Sequence, residues 1–228
     1  MRGSPQQEFR PTILEEPRRS REYRDFCAPL LQAALKGDWR AAIAFLKRHP
    51  CCVRVPITKE KGTALHYAAA AKHTRFVKEL LKLMRRSDLE LKNTEGWSAL
   101  CFAAQSEKVR IAQEMVKLNN KLPYLRTNQG ATPLQIAASL GRKNMASYLF
   151  SVTPFGQLAR GERVELSLAT ISSDMYDIAL QILTKDPELA TAEAGYIGWK
   201  ALEEFAKKPD AIGSKSQLPI WKRCLNSR

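Results

Sequence analysis

Apolar and polar positions along this chain follow two superimposed periods. A leucine recurs at Leu30, Leu65, Leu100, Leu134, Leu168 and Leu202, at spacings of 35, 35, 34, 34 and 34 residues. The neighbours of three of these leucines repeat as well. Gly96-Trp97-Ser98-Ala99-Leu100-Cys101-Phe102-Ala103-Ala104 aligns with Gly130-Ala131-Thr132-Pro133-Leu134-Gln135-Ile136-Ala137-Ala138, and Gly62-Thr63-Ala64-Leu65-His66-Tyr67-Ala68-Ala69 follows the same plan. The shared core is Thr or Ser, a small residue or Pro, Leu, two variable positions and Ala-Ala. Beyond each of the first five leucines lies a second apolar cluster: Ala41/Ala42/Phe45/Leu46, Phe76/Val77/Leu80/Leu81, Ile111/Ala112/Met115/Val116, Met145/Ala146/Leu149/Phe150 and Ala179/Leu180/Leu183. Apolar residues at i, i+1, i+4 and i+5 share one face of an α-helix. Each unit therefore reads as a short helix, a tight turn, an amphipathic second helix and a polar loop.

Local chemistry supports that reading. Thr132 is placed to cap a helix whose first position is Pro133, where a missing N–H costs nothing. Thr63 and Ser98 are placed to cap in the same way. Gly37 and Gly141 stand where the first helix must turn back. The loop glycine is kept at Gly96, Gly130 and Gly198 but lost at Lys61 and Val164, so a distorted hairpin is expected before the fifth unit. In that unit Ile171-Ser172 replaces Ala-Ala. In the sixth, Lys200 takes the cap position and Pro209 interrupts the second helix. The first unit, around Pro29-Leu30, lacks the Thr cap. A stacked array needs such atypical ends to cover its last apolar faces. The expected fold is all-α, a solenoid of about six helix-turn-helix units with the fifth and sixth degenerate. It is expected over residues 27–210, between a disordered charged tail at 1–26 and a C-terminal tail at 211–228.

The unit resembles the ankyrin repeat. Thr63-Ala64-Leu65-His66 with His73, and Thr132-Pro133-Leu134 with Gly141, match its signature most fully. The resemblance implies a protein-binding scaffold whose loop tips and first helices form a concave gripping surface. A finer resemblance rests on Leu89-Glu90-Leu91-Lys92-Asn93, Lys121-Leu122-Pro123, Ser147-Tyr148-Leu149 and Ala169-Thr170-Ile171-Ser172-Ser173-Asp174. It also rests on Ser216-Gln217-Leu218 and Trp221-Lys222-Arg223-Cys224. These are similar to the plant ankyrin-repeat proteins of the accelerated-cell-death type, which carry a C-terminal hydrophobic PGG domain. That resemblance implies a role in stress or defence signalling, and for the group as a whole residence in membranes. This chain stops before any such hydrophobic domain, so a cytoplasmic location is expected, with the cytosolic face of the plasma membrane as the alternative.

Composition and charge narrow the chemistry. The net charge is +14, carried by 37 Lys and Arg against 23 Asp and Glu. The surplus sits in residues 27–163, whereas 164–197 is acidic. The basic body suits an acidic protein partner or an anionic membrane surface, with nucleic acid as the weaker alternative. The longest uncharged stretch, from Asn144 to Ala159, is dotted with Ser, Asn, Thr and Gln. It falls short of the roughly 20 apolar residues that cross a bilayer. The five cysteines lack C-x-x-C spacing and the three histidines are scattered, so no disulfide framework, metal site or cofactor is expected. No phosphate-binding loop or nucleophile–base pairing is visible, and no enzyme activity is expected. His66 and His73 fall on motif positions that bond the turn and the neighbouring repeat. Cys101 occupies the same position as His66. Cys51-Cys52 has no visible redox partner.

The candidate partner-binding residues are those at the loop tips: Lys59, Lys61, Asn93, Glu95, Trp97, Asn128, Gln129 and Trp199. Trp97 and Trp199 hold the same variable tip position in their repeats, and Trp is enriched among interface hot spots.

Overall fold

A small polar residue in extended conformation opens three of the helix pairs. Thr63, Ser98 and Thr132 have ψ of 170°, 165° and 159°, and a helix starts at the next residue each time. The computed structural model describes residues 17–190, with side chains from Phe26 to Leu189. Its first helices are α1 (Pro17–Lys36), α3 (Ala64–Ala70), α5 (Ala99–Ser106), α7 (Pro133–Ser139) and α9 (Arg160–Ser172). Each is followed by a second helix: α2 (Trp39–Arg48), α4 (Thr74–Leu81), α6 (Val109–Leu118), α8 (Lys143–Val152) and α10 (Tyr176–Lys185). The sixth unit, with Leu202, lies outside the described residues, as do the tail at 211–228 and most of the N-terminal tail. Helix α1 starts at Pro17, inside the stretch read from sequence as tail, and passes through Pro29.

The helices form two layers. Helices α1, α3, α5, α7 and α9 pack in succession, and α2, α4, α6 and α8 form the second row. The alanines decide how close the rows come: Ala68, Ala69, Ala103, Ala104, Ala137 and Ala138 are fully buried. The anchors Leu30, Leu65, Leu100 and Leu134 are buried to within 1% of complete, as are Phe76, Leu80, Ile111, Met115, Met145 and Leu149 from the second row.

The turn between the two helices of each unit is a left-handed residue. Gly37, Lys72, Glu107, Gly141 and Asp174 have φ of 71°, 66°, 61°, 67° and 57°. These five residues define the register better than the leucines do. They place Ser167 at the leucine position of the fifth unit, where the sequence pattern had pointed to Leu168. Ser167 and Leu166 are fully buried, whereas Leu168 is only partly covered. The Ala-Ala position is taken by Thr170-Ile171 rather than Ile171-Ser172, and the second-helix cluster becomes Ile178/Ala179/Ile182. The interval from Gly141 to Asp174 is one residue shorter than the one before it, which a leucine-to-leucine reading cannot detect.

The approach to the fifth unit also differs from expectation. No hairpin precedes it. The chain makes a 3-10 turn at Phe155–Gln157 and enters a 13-residue α9, against seven or eight residues in α3, α5 and α7. Glu162 explains the early start, because it bonds the Ala159 N–H at 2.7 Å. The same carboxylate receives both Nε and Nη2 of Arg126, at 2.8 and 3.1 Å, which ties α9 to the preceding unit.

Candidate binding surface of hairpins and first helices

The loops between units are tight hairpins stacked side by side. In the first, Ile57 N–H bonds Gly62 O at 2.8 Å and Lys61 N–H bonds Thr58 O at 3.1 Å. In the second, Asn93 N–H bonds Trp97 O and Gly96 N–H bonds Asn93 O; in the third, Thr127 N–H bonds Ala131 O and Gly130 N–H bonds Thr127 O. Lys61, Gly96 and Gly130 share the tip conformation, with φ of 58°, 78° and 82°. Lys61 thus adopts the glycine geometry without being glycine. Backbone bonds then join hairpin to hairpin: Thr94 N–H to Glu60 O at 2.8 Å, and Asn128 N–H to Glu95 O at 3.0 Å.

The sequence-predicted tip residues divide into two kinds. Asn93 and Asn128 brace the loops. Asn93 Oδ1 accepts from the N–H groups of Glu95 and Trp97, at 3.0 and 2.8 Å. Asn128 Nδ2 donates to Thr94 O at 2.9 Å, which locks the third hairpin to the second. Lys59, Lys61, Glu95 and Gln129 are exposed. Their side chains project from hairpins held by the backbone bonds above. Trp199 lies outside the described residues.

Trp97 is half-buried, its ring 5.4 Å from that of Phe102 at 62°. Phe102 in turn meets the His66 ring edge-on at 5.5 Å. In the preceding unit Tyr67 takes the place of Phe102, and its hydroxyl is 2.7 Å from Thr58 Oγ1. Gly62 stands where Trp97 stands one unit on; a Cβ there would come within 2.6 Å of the Tyr67 ring. The aromatic flank of the first helices therefore involves Tyr67 and Phe102, which the sequence reading passed over. The signal was present: both occupy the second variable position after the anchor leucine, which faces the hairpins.

The histidines are structural. His66 Nδ1 accepts from the Thr63 N–H at 3.1 Å and lies 2.8 Å from the Thr63 hydroxyl, while Nε2 is 3.1 Å from Trp97 O. A carbonyl can only accept, so Nε2 carries the proton and Nδ1 does not. Burial holds the ring neutral and lowers its pKa from 6.5 to about 4. His73 Nε2 donates to Leu35 O at 2.8 Å, which links the second unit to the first. Cys101 replaces His66 in the third unit, its Sγ 3.5 Å from Ser98 Oγ, and burial pushes its pKa up. Ser98 was expected to cap α5. Its hydroxyl faces the Cys101 thiol instead and bonds no backbone N–H of the helix. Cys52 is buried with its Sγ 3.9 Å from that of Cys27, and Cys51 beside it is exposed. A partner thiol, not apparent in the sequence, is therefore close to Cys52. Among the described residues no group of three or more His, Cys, Asp and Glu is placed to hold a metal ion, and no helix is long and apolar enough to cross a membrane.

The stacked pairs and braced hairpins define an ankyrin-repeat solenoid. Comparison with known families agrees: "Ankyrin repeats (3 copies)" matches residues 77–155 and "Ankyrin repeats (many copies)" matches residues 49–103. Repeats of this kind are in general non-catalytic scaffolds that bind other proteins. Among individual proteins, the chain is similar to the probable E3 ubiquitin-protein ligase XBOS32 of Oryza sativa subsp. japonica. The two are 30% identical over 131 residues, which is 55% of this chain and 26% of the rice protein. The chain thus spans about a quarter of that protein's length.

Proposed function

We propose that this chain is a protein-interaction module of plant stress or defence signalling, acting in the cytoplasm and gripping its partner along the hairpin tips and the aromatic flank of the first helices. The observation that carries the reading is the division of labour at the tips. Asn93 and Asn128 spend their side chains on rigidity, and this leaves Lys59, Lys61, Glu95 and Gln129 to project from a preorganised row. A preorganised surface binds without the cost of ordering loops. Trp97 and Phe102 supply apolar area beside that polar row. The repeat domain in this reading extends to residue 210 and Trp199 belongs to its binding set, both beyond the described residues.

The stress or defence role rests on the resemblance to the accelerated-cell-death group. The similarity to the rice ligase supports a shared binding scaffold, and its named activity is not carried over to this chain.

The test uses a photo-crosslinking residue at Gln129 and, as the contrast, at Lys47, exposed on the second-row helix α2. Proteins captured at Gln129 but not at Lys47, and lost when Trp97→Ala is added with helicity intact, support the hairpin site. Capture that is the same at both positions and indifferent to Trp97 overturns it.

A further inference from the structure

The second-row helices carry a pattern that the hairpin reading does not use. Counted from the left-handed turn residue of each unit, the same positions are basic in units one to three. One ladder is Arg40, Arg75 and Arg110; the other is Lys47, Lys82 and Lys117, and all six are exposed. Residues of a pair lie seven apart, two helical turns, so they share the outer face. Neighbouring helices in the row stand about 8–10 Å apart.

The second ladder continues into a basic edge. Arg48, Arg85, Arg86 and Lys121 are exposed around the C-terminal ends of α2, α4 and α6. The acids nearby are committed elsewhere, except Glu79, which holds one ladder cation, Lys82. Asp38 caps α2 and Asp88 bonds the Arg85 N–H. Glu90 accepts from Asn119, Glu79 pairs with Lys82, and Glu114 lies 3.9 Å from Lys78. Among the described residues no acid pairs with Arg40, Arg75, Arg110, Lys47 or Lys117.

A second observation lies on the same edge. Leu83 and Leu118 follow Lys82 and Lys117 directly, occupy equivalent positions in adjacent units, and are 44% and 48% exposed. Two leucines in register at helix ends, each beside a lysine, leave apolar surface in water that nothing in the fold covers. Lysine stems can lie along such a surface while their ammonium groups reach out.

We propose that this edge, formed by Lys47, Arg48, Lys82, Leu83, Lys117 and Leu118, docks on an anionic lipid surface. The cations would meet the headgroups and the leucines would enter the interface. The chemistry favours lipid over other anions. Three of the four cations named are lysines, point charges without the bidentate fork that seats one carboxylate or phosphate, and they are spread one per helix along a row. The leucines gain nothing from a phosphodiester backbone, whereas the interfacial zone of a bilayer accepts them. The proposal is independent of the hairpin site, which uses other residues. Together the two would make the array an adaptor that holds a protein at a membrane surface.

The test is co-sedimentation of the full chain with vesicles of phosphatidylcholine and phosphatidylserine at roughly 7:3, with pure phosphatidylcholine vesicles and duplex DNA as contrasts. Binding to the anionic vesicles at low salt, absent from the neutral ones, is expected. The triple Lys47→Ala/Lys82→Ala/Lys117→Ala variant should bind about 25-fold more weakly, at about fivefold for each of the two lysines that no acid pairs. Leu83→Ser/Leu118→Ser should weaken vesicle binding about tenfold and leave binding to DNA unchanged. Lys59→Ala/Lys61→Ala, at the hairpin tips, should leave it intact. All these positions are exposed, and unchanged circular dichroism checks the fold. Failure to bind anionic vesicles at low salt overturns the proposal. So does vesicle binding that ignores the leucines, or that falls as much with the tip lysines. Partner capture at Gln129 is read separately, so either reading can fail alone.

Discussion

At the residue scale, one motif position shows how different side chains solve the same problem. His66, Cys101 and Gln135 each stand three residues into their helix, facing Thr63, Ser98 and Thr132. His66 and Gln135 reach back to the N–H of the cap residue, at 3.1 and 2.9 Å; Cys101 meets only a hydroxyl. His66 does so only as a neutral ring, and its pKa of about 4 against 6.5 makes folding pH-dependent. Above pH 6.5 the ring is neutral in both states and contributes no slope. As pH falls from 6.5 toward 4 the unfolded chain takes up a proton that the folded one refuses, and stability drops by roughly 3 kcal/mol in all. Urea titrations at pH 8 and pH 4.5 should show this loss, and it should shrink in His66→Gln, which borrows the fourth unit's solution. Ser167 tells the opposite story. It fills a leucine position, is fully buried, and its hydroxyl has no partner among the described residues. Ser167→Ala removes a buried polar group without changing the packing much, and should stabilise the chain by about 1 kcal/mol; an unfolding midpoint that stays put or falls contradicts this.

At the scale of the element, the hairpins behave as a coupled sheet of loops rather than as separate turns. Gly96 and Gly130 share the left-handed tip conformation, yet their surroundings differ. A Cβ on Gly96 would approach the Asn128 backbone N to 2.5 Å, whereas nothing lies within 4 Å of one on Gly130. Gly130→Ala should therefore cost only the conformational term, about 1 kcal/mol. Gly96→Ala should cost about 2–4 kcal/mol, because the third hairpin must also move. Equal losses in thermal denaturation would show that the hairpins are not coupled through this contact. The same elements explain the end of the row. Before the fifth unit Glu162 draws the chain into helix at Ala159, and the Arg126 pair holds it there.

On the scale of the whole molecule, stability should run unevenly along the array, since each unit contacts only its neighbours. The central helices α3, α5 and α7 are flanked on both sides and sealed by complete Leu and Ala layers. The fifth unit has Ser167 and Thr170 in that layer. A cavity of about 470 Å³ also opens beside it, lined by Phe150, Phe155, Ile178 and Lys185. Hydrogen exchange should report the slowest amides in α3, α5 and α7 and faster, sub-global opening in α9 and α10. Uniform protection along the array would contradict this gradient.

The sequence by itself determined the unit and its number of helices. A recurrence of small residues, leucine and Ala-Ala is a local requirement of one helix packed closely on another, and local requirements can be read along a chain. It also marked the loop tips, because a left-handed backbone calls for glycine at Gly96 and Gly130. Only the tertiary structure decided what those tips do. Asn93 became a brace of its own hairpin, and Asn128 became a brace between hairpins because Thr94, 34 residues away in sequence, offered its carbonyl. Phe102 became part of the surface because His66 and Trp97 came to lie on either side of it. The fifth unit's register is one residue off its leucine because its left-handed turn residue, Asp174, comes one residue sooner than the preceding interval predicts. The basic edge with Leu83 and Leu118 exists only once three helices stand in line, since no stretch of the chain carries it alone.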